Sequence, residues 1–174
     1  TTVYTYVIEN MSLELLEKEF ETDTRRRRKK ANELGITVVE SKDINSFYEL
    51  NKLTYDRQNI VIPYSFELVD NLYQKCLEND SVKLYFAVEG EKVIASAFFV
   101  YDKNSVYYLM GGINPNFKDM GGMDAVLYEA IKFAIESNRI FDFEGSMVES
   151  IEKYFRTFGA KQKPMMQISK TNSK

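Results

Sequence analysis

A chain of 174 residues with 44% apolar and 14% aromatic content holds enough material for one core of ordinary domain size. Its net charge of −3 gives no overall basic field to draw it to nucleic acid or an anionic membrane, and no apolar run approaches the roughly 20 residues of a bilayer span. With no histidine and one cysteine, Cys76, the chain excludes histidine-based triads and internal disulfides, leaves almost no vocabulary for a metal site, and fits a reducing, cytoplasmic setting.

Val3 to Ile8 reads as extended. Leu13, Leu16 and Phe20 then mark a brief helical face, and a very polar helix from about Thr24 to Leu34 ends at Gly35. Residues 1–35 are polar enough to read as a helical extension, with the main domain at 36–174. Ile36 to Val39 is a strand. Asp43 and Ser65 are good N-caps for two helices that each bury one face, the second through Phe66, Val69, Leu72, Tyr73, Cys76 and Leu77. Cys76, placed among those apolar positions, is a buried thiol rather than a nucleophile.

Val82 to Val88, Val93 to Tyr101 and Val106 to Gly111 follow as strands joined by short turns, an antiparallel meander. Met123, Val126, Leu127, Ala130, Ile131, Ala134 and Ile135 hold helical spacing, so a long helix packs on that sheet. Ile140 to Phe143 is the next strand. Val148, Ile151, Phe155 and Phe158 face inward from a closing helix that ends at Gly159, and Met165 to Ile168 is a last strand.

The segment Phe141-Asp142-Phe143-Glu144-Gly145-Ser146 is the strongest candidate for chemistry. On a strand, Asp142 and Glu144 project together while Phe141 and Phe143 face the core, and two neighbouring carboxylates raise each other's proton affinity toward that of a useful base. The alternative is structural: one acid caps the closing helix and the other pairs with a cation. A site there requires the sheet to part beside this segment. The run Arg25, Arg26, Arg27, Arg28, Lys29 and Lys30 would grip phosphates of a transfer RNA or an anionic membrane surface. Glu14, Glu17, Glu19, Glu21 and Asp23 just upstream favour a self-neutralised, solvated helix instead.

The element order resembles the GNAT acyltransferase fold. The pieces Arg25 to Ala31 ahead of Gly35, Thr54-Tyr55-Asp56-Arg57, Tyr85-Phe86-Ala87, Val93-Ile94-Ala95, Tyr107 to Gly112, Phe141 to Ser146 and Phe155 to Gly159 resemble its FemAB-like branch over nearly the whole chain. That resemblance implies an α/β fold with a central, mostly antiparallel mixed sheet flanked by helices. It also implies acyl or aminoacyl transfer to an amine acceptor near cell-envelope precursor synthesis, and a second GNAT-like domain, because members commonly carry two such halves. Enzymes of the superfamily that use acyl-CoA have an Arg/Gln-x-x-Gly-x-Gly/Ala loop before the long helix. Here that loop keeps Gly121 and Gly122 as cofactor-binding candidates but loses the spacing, and sets Asp119 and Asp124 beside the anion. The departure favours aminoacyl-tRNA over acetyl-CoA as donor.

In the closing helix such enzymes often place a tyrosine four residues before the glycine, where this chain has Phe155. Fem-type ligases are similar to it in having an aromatic followed by a cation, here Phe155-Arg156. The resemblance thus implies a substrate contact for Phe155 and oxyanion or phosphate support from Arg156, against a core aromatic and a solvated cation. It gives Asp142 and Glu144 the proton of the attacking amine. Arg57 would clamp a carboxylate or phosphate of the acceptor, or make an ordinary ion pair, and Tyr108 would line the cleft, or pack across strands. Two other readings stay open: an acetyl-CoA-dependent N-acetyltransferase, and a non-catalytic half-domain that completes a cleft or binds a partner.

Overall fold

Three helices begin where a side-chain oxygen closes their first turn. Ser12 accepts from the Leu15 N–H, Asp43 from the Ser46 N–H and Ser65 from the Leu68 N–H, starting α1 (Leu13–Glu19), α3 (Ile44–Asp56) and α4 (Phe66–Glu78). The computed structural model describes residues 2–145 and 148–166, and its other helices are α2 (Thr22–Glu33), α5 (Gly122–Glu136) and α6 (Glu149–Arg156). The strands are β1 (Thr2–Ile8), β2 (Thr37–Glu40), β3 (Val82–Glu89), β4 (Lys92–Tyr101), β5 (Ser105–Ile113), β6 (Ile140–Asp142) and β7 (Lys161–Met166). The last predicted strand therefore starts earlier than Met165, while Ile168, like Ser146, lies outside the described residues.

The strands form one mixed sheet in the order β2-β3-β4-β5-β6-β1-β7. Every neighbouring pair is antiparallel except β5 and β6. Side-chain alternation along β4 divides the core in two. Ala95, Ala97 and Phe99 belong to the layer under α5, whose Val126, Leu127, Ala130, Ile131 and Ala134 are fully buried. Phe98 belongs to the layer under α3 and α4, where it meets Phe47 edge-on at 5.8 Å. No helix among the described residues is long and apolar enough to cross a membrane.

The expected division at residue 35 does not separate two bodies. β1 lies inside the sheet, between β6 and β7, and Leu16, Phe20 and Ala31 from α1 and α2 are buried in the α5 layer. The polar composition of this segment reflects its outer face. Tyr6, Ile8, Leu16, Phe20 and Ala31 nevertheless point inward, which average polarity conceals.

Where α3 crosses β5 the two backbones nearly touch. A Cβ at Gly112 would stand 2.6 Å from the Leu50 carbonyl and the Asn51 nitrogen, so only glycine permits this crossing. Ser96, paired with Gly112 across β4 and β5, is fully buried and its hydroxyl has no hydrogen-bond partner among the described residues. An orphaned buried hydroxyl costs about 1–3 kcal/mol. Ser96→Ala is therefore expected to raise the thermal denaturation midpoint, with a gain on the order of 1 kcal/mol; an unchanged or lower midpoint would mean that the hydroxyl is satisfied.

Candidate functional site

β5 stays paired with β4 from Val106 to Ile113, but with β6 only from Ser105 to Tyr107. Beyond that point the sheet parts. Two local features cause the split. On β5, a register shift opposite Phe98 and Phe99 leaves Leu109 as an extra residue, a bulge that bends the strand. On the other side β6 stops at Asp142 because Glu144 (φ +61°) and Gly145 (φ +71°) turn left-handed. A Cβ at Gly145 would stand 2.1 Å from the Tyr4 carbonyl oxygen, so the chain leaves the sheet only through a glycine.

The hydrogen-bond alternation of an antiparallel ladder then decides what faces the gap. The Asn114 N–H donates to the Ile94 carbonyl at 3.0 Å, which makes Ile94 and Asn114 a bonded pair; Gly111, opposite Ala97, falls at a non-bonded position. Its N–H and C=O both point away from β4 into the opening. The carbonyl accepts from Asn51 Nδ2 at 2.7 Å, and no described residue accepts from the N–H.

The opening is a cleft of about 530 Å³, floored mainly by apolar side chains and walled by tyrosines. It brings together Arg57, Tyr108, Glu144 and Phe155 of the predicted site. Phe155 is buried, stacked on Phe143 at 4.5 Å, and Tyr108 meets it edge-on at 6.3 Å. Arg57, the C-cap of α3, is exposed at the rim and makes no ion pair among the described residues.

The two acids part company. Asp142 lies outside the cleft lining, accepting from the Thr5 hydroxyl and, at 2.8 Å, from the Glu144 N–H. Glu144 does not share its strand face, because the left-handed turn redirects its carboxylate into the cleft, where no described residue hydrogen-bonds it. Partial burial and then the Asp142 charge hold the Glu144 carboxyl above the ordinary glutamate value.

Arg156 also lies outside the lining. It donates to the Tyr6 hydroxyl at 3.0 Å and stacks on the Tyr6 ring, on the side of α6 turned toward β1. The basic run is not a free patch either, since Arg26, Arg27, Arg28 and Lys29 pair with Asp23, Asp124, Glu17 and Glu33. Among the described residues Arg25 and Lys30 make no ion pair.

Gly121 and Gly122 serve packing. A Cβ at Gly121 (φ +79°) would stand 2.3 Å from the Arg27 carbonyl oxygen, and one at Gly122 would stand 2.6 Å from the Ile94 side chain. α2 thus lies flush on the amino end of α5, and the buried Asp124 in its first turn supplies the negative charge that the helix dipole favours. Arg27 Nε donates to Asp124 at 2.8 Å. The residues at this helix end do not fit a coenzyme A pyrophosphate.

Several lining residues carried no recognisable signal in the sequence. Tyr154, one position from the expected Phe155, lines the cleft with a buried hydroxyl that has no hydrogen-bond partner among the described residues. Burial and the Asp124 charge raise its pKa well above the usual phenol value, though Asp124 lies outside hydrogen-bonding geometry. Asn51, Tyr55 and Tyr64 form a connected wall: Tyr64 donates to Asn51 Oδ1 at 2.7 Å and its hydroxyl lies 3.3 Å from that of Tyr55. Tyr55 lies within the segment Thr54 to Arg57, whereas for Asn51 the sequence offers only a helical asparagine with no local partner.

The family model for the acetyltransferase (GNAT) domain matches residues 18–156. No curated protein matches by sequence. Among solved structures, FemX is similar at a TM-score of 0.81 and 16% identity, over 91% of this chain and 59% of that one, so this chain spans about three fifths of the FemX length. An aminoglycoside acetyltransferase from an uncultured soil metagenomic sample, in complex with sisomicin, is similar at 0.57 and 14% identity, over 79% of this chain and 97% of its own. A predicted acetyltransferase with acetyl-CoA from Clostridium acetobutylicum gives 0.55 and 14% over 69% and 88%.

Proposed function

The chain belongs to the acetyltransferase (GNAT) domain family, in its FemAB-like branch, and from that premise we propose that it is an acyl or aminoacyl transferase acting on an amine in the cleft between β5 and β6. The observation that carries this reading is the parted sheet, with the Glu144 carboxylate on one wall and the Gly111 N–H on the other, neither of them hydrogen-bonded by a described residue.

Glu144 is the base. As the amine nitrogen bonds to the acyl carbon, its proton passes to the Glu144 carboxylate, whose raised proton affinity suits the task. The carbonyl oxygen becomes negative and takes a hydrogen bond from the Gly111 N–H, in a site whose apolar floor strengthens that bond. When the bond to the carrier breaks, the departing oxygen takes the proton back from Glu144. Arg57 at the rim binds an anionic part of the acceptor.

The filled amino end of α5 favours aminoacyl-tRNA over acetyl-CoA as donor, with Arg25 and Lys30, which make no ion pair among the described residues, to meet its phosphates. FemX is longer, and we assign the remaining length of a whole protein to a second GNAT-like domain. A cytoplasmic place near envelope-precursor synthesis fits this reading.

In a thermal shift assay, charged transfer RNA is expected to raise the melting temperature while acetyl-CoA leaves it unchanged. Arg57→Ala is expected to weaken binding of a nucleotide-linked envelope precursor about tenfold, the value of one charge-assisted contact. Stabilisation by acetyl-CoA alone would overturn the donor assignment.

A further inference from the structure

We propose that Asn51 is a positioning residue for the transfer reaction, a side-chain substitute for the strand that β5 lacks beside the cleft. The proposal rests on the transferase reading above. Past Tyr107 the β6 edge of β5 has no strand partner among the described residues, so the Gly111 carbonyl would be left to water or would draw the strand out of line. Asn51, only 2% exposed on α3, gives that carbonyl a donor at 2.7 Å.

The amide is held in one orientation. Its Oδ1 accepts from the Tyr64 hydroxyl at 2.7 Å, and Tyr64 is itself anchored where its backbone carbonyl accepts from the Tyr48 hydroxyl at 3.0 Å. Flipping the amide would set an oxygen against the Gly111 carbonyl and an N–H₂ against the Tyr64 hydroxyl. The two tyrosines and the asparagine therefore fix the direction of one bond.

That bond matters because of what it restrains. Gly112 is required to be glycine, since a Cβ there would stand 2.6 Å from the α3 backbone, and a Cβ at Gly111 would press on the Tyr108 hydroxyl, 2.2 Å away. Two adjacent glycines are also the most mobile dipeptide a strand can contain. The close packing that favours them removes the stiffness that would keep the Gly111 N–H aimed at an acyl oxygen. Asn51 restores it from the side.

The test uses the domain with Asn51→Ala, Asn51→Asp and Tyr64→Phe. In 15N-labelled protein the Gly111 amide resonance is expected to shift and broaden in both Asn51 variants while β3 and the paired part of β4 keep their positions. In the transfer assay kcat is expected to fall about a hundredfold with the acceptor KM within about twofold, because misaiming a donor costs the transition state and not acceptor binding. Tyr64→Phe keeps the buried amide and frees only its orientation, so it gives a smaller change of the same kind and decides the matter if the Asn51 variants fail to fold. An unmoved Gly111 resonance, or a retained kcat, overturns the proposal. If the wild type transfers nothing, the functional reading fails alone, and the resonance still decides whether Asn51 positions Gly111.

Discussion

Replacing Arg27 by alanine is expected to destabilise the domain by about 3–5 kcal/mol at neutral pH, the usual result of stripping one partner from a buried ion pair. Asp124 is only 4% exposed and Arg27 Nε is its ion-pair partner at 2.8 Å. The same guanidinium donates to Thr24 and Thr157 and lies 5.3 Å from the Tyr154 ring centroid, so α2, α5 and α6 all lose a shared contact. Burial already holds the Asp124 carboxyl above the ordinary aspartate value, and Arg27 is what opposes that rise. A carboxyl raised in the folded state favours folding below its unfolded pKa, and that contribution is lost as pH climbs through the folded value. Deleting Arg27 raises it further. The deficit measured by urea denaturation should therefore be greatest at neutral pH and shrink as the solution is acidified toward the carboxylate range, and Arg27→Ala with Asp124→Asn should recover part of it. A deficit independent of pH would show that Asp124 is not its source.

Glu144→Gln should reduce acyl transfer by about 10²–10⁴-fold, the usual contribution of a general base. Stability should change little, since the side chain is exposed to the cleft and accepts no hydrogen bond from a described residue. The wild-type rate should rise with pH through an inflection above the ordinary glutamate value, because the carboxylate form is the base. Asp142→Asn separates the two acids: it removes a neighbouring charge, so the inflection moves down while the transfer itself persists. Loss of activity in Asp142→Asn equal to that in Glu144→Gln, with folding intact, would show that both acids handle the proton.

Much of this architecture was legible along the chain because its causes are local. Asp43 and Ser65 cap helices for a reason contained in four residues, and the apolar spacing of Met123 to Ala134 fits one helix face. The meander and the crevice beside Phe141 follow from turns and from a glycine exit. The site residues were harder to read. Strand alternation extended through Glu144 predicts that it points with Asp142, yet β6 ends at Asp142 and a positive φ redirects the next acid. Counting back from Gly159 selects Phe155, which is buried in the floor, and passes over Tyr154, which also lines the cleft and buries its hydroxyl. Gly121 and Gly122 suggest an anion cradle, but the space above them is taken by α2, whose Arg27 lies 97 residues before its partner Asp124. Asn51 acts only through Gly111 and Tyr64, partners that the fold alone brings to it.

The position of β1 has a further consequence, for how the polypeptide matures. Val7 pairs with Asp142 and Val3 with Met165, so β1 completes its ladders only with segments 135 and 162 residues further along the chain. Until β6 and β7 are made β1 must wait with its edges open; loop closure over such separations is slow and leaves sticky edges available to other molecules. Assembly of the β6-β1-β7 half should therefore be the late, rate-limiting event in folding of this domain.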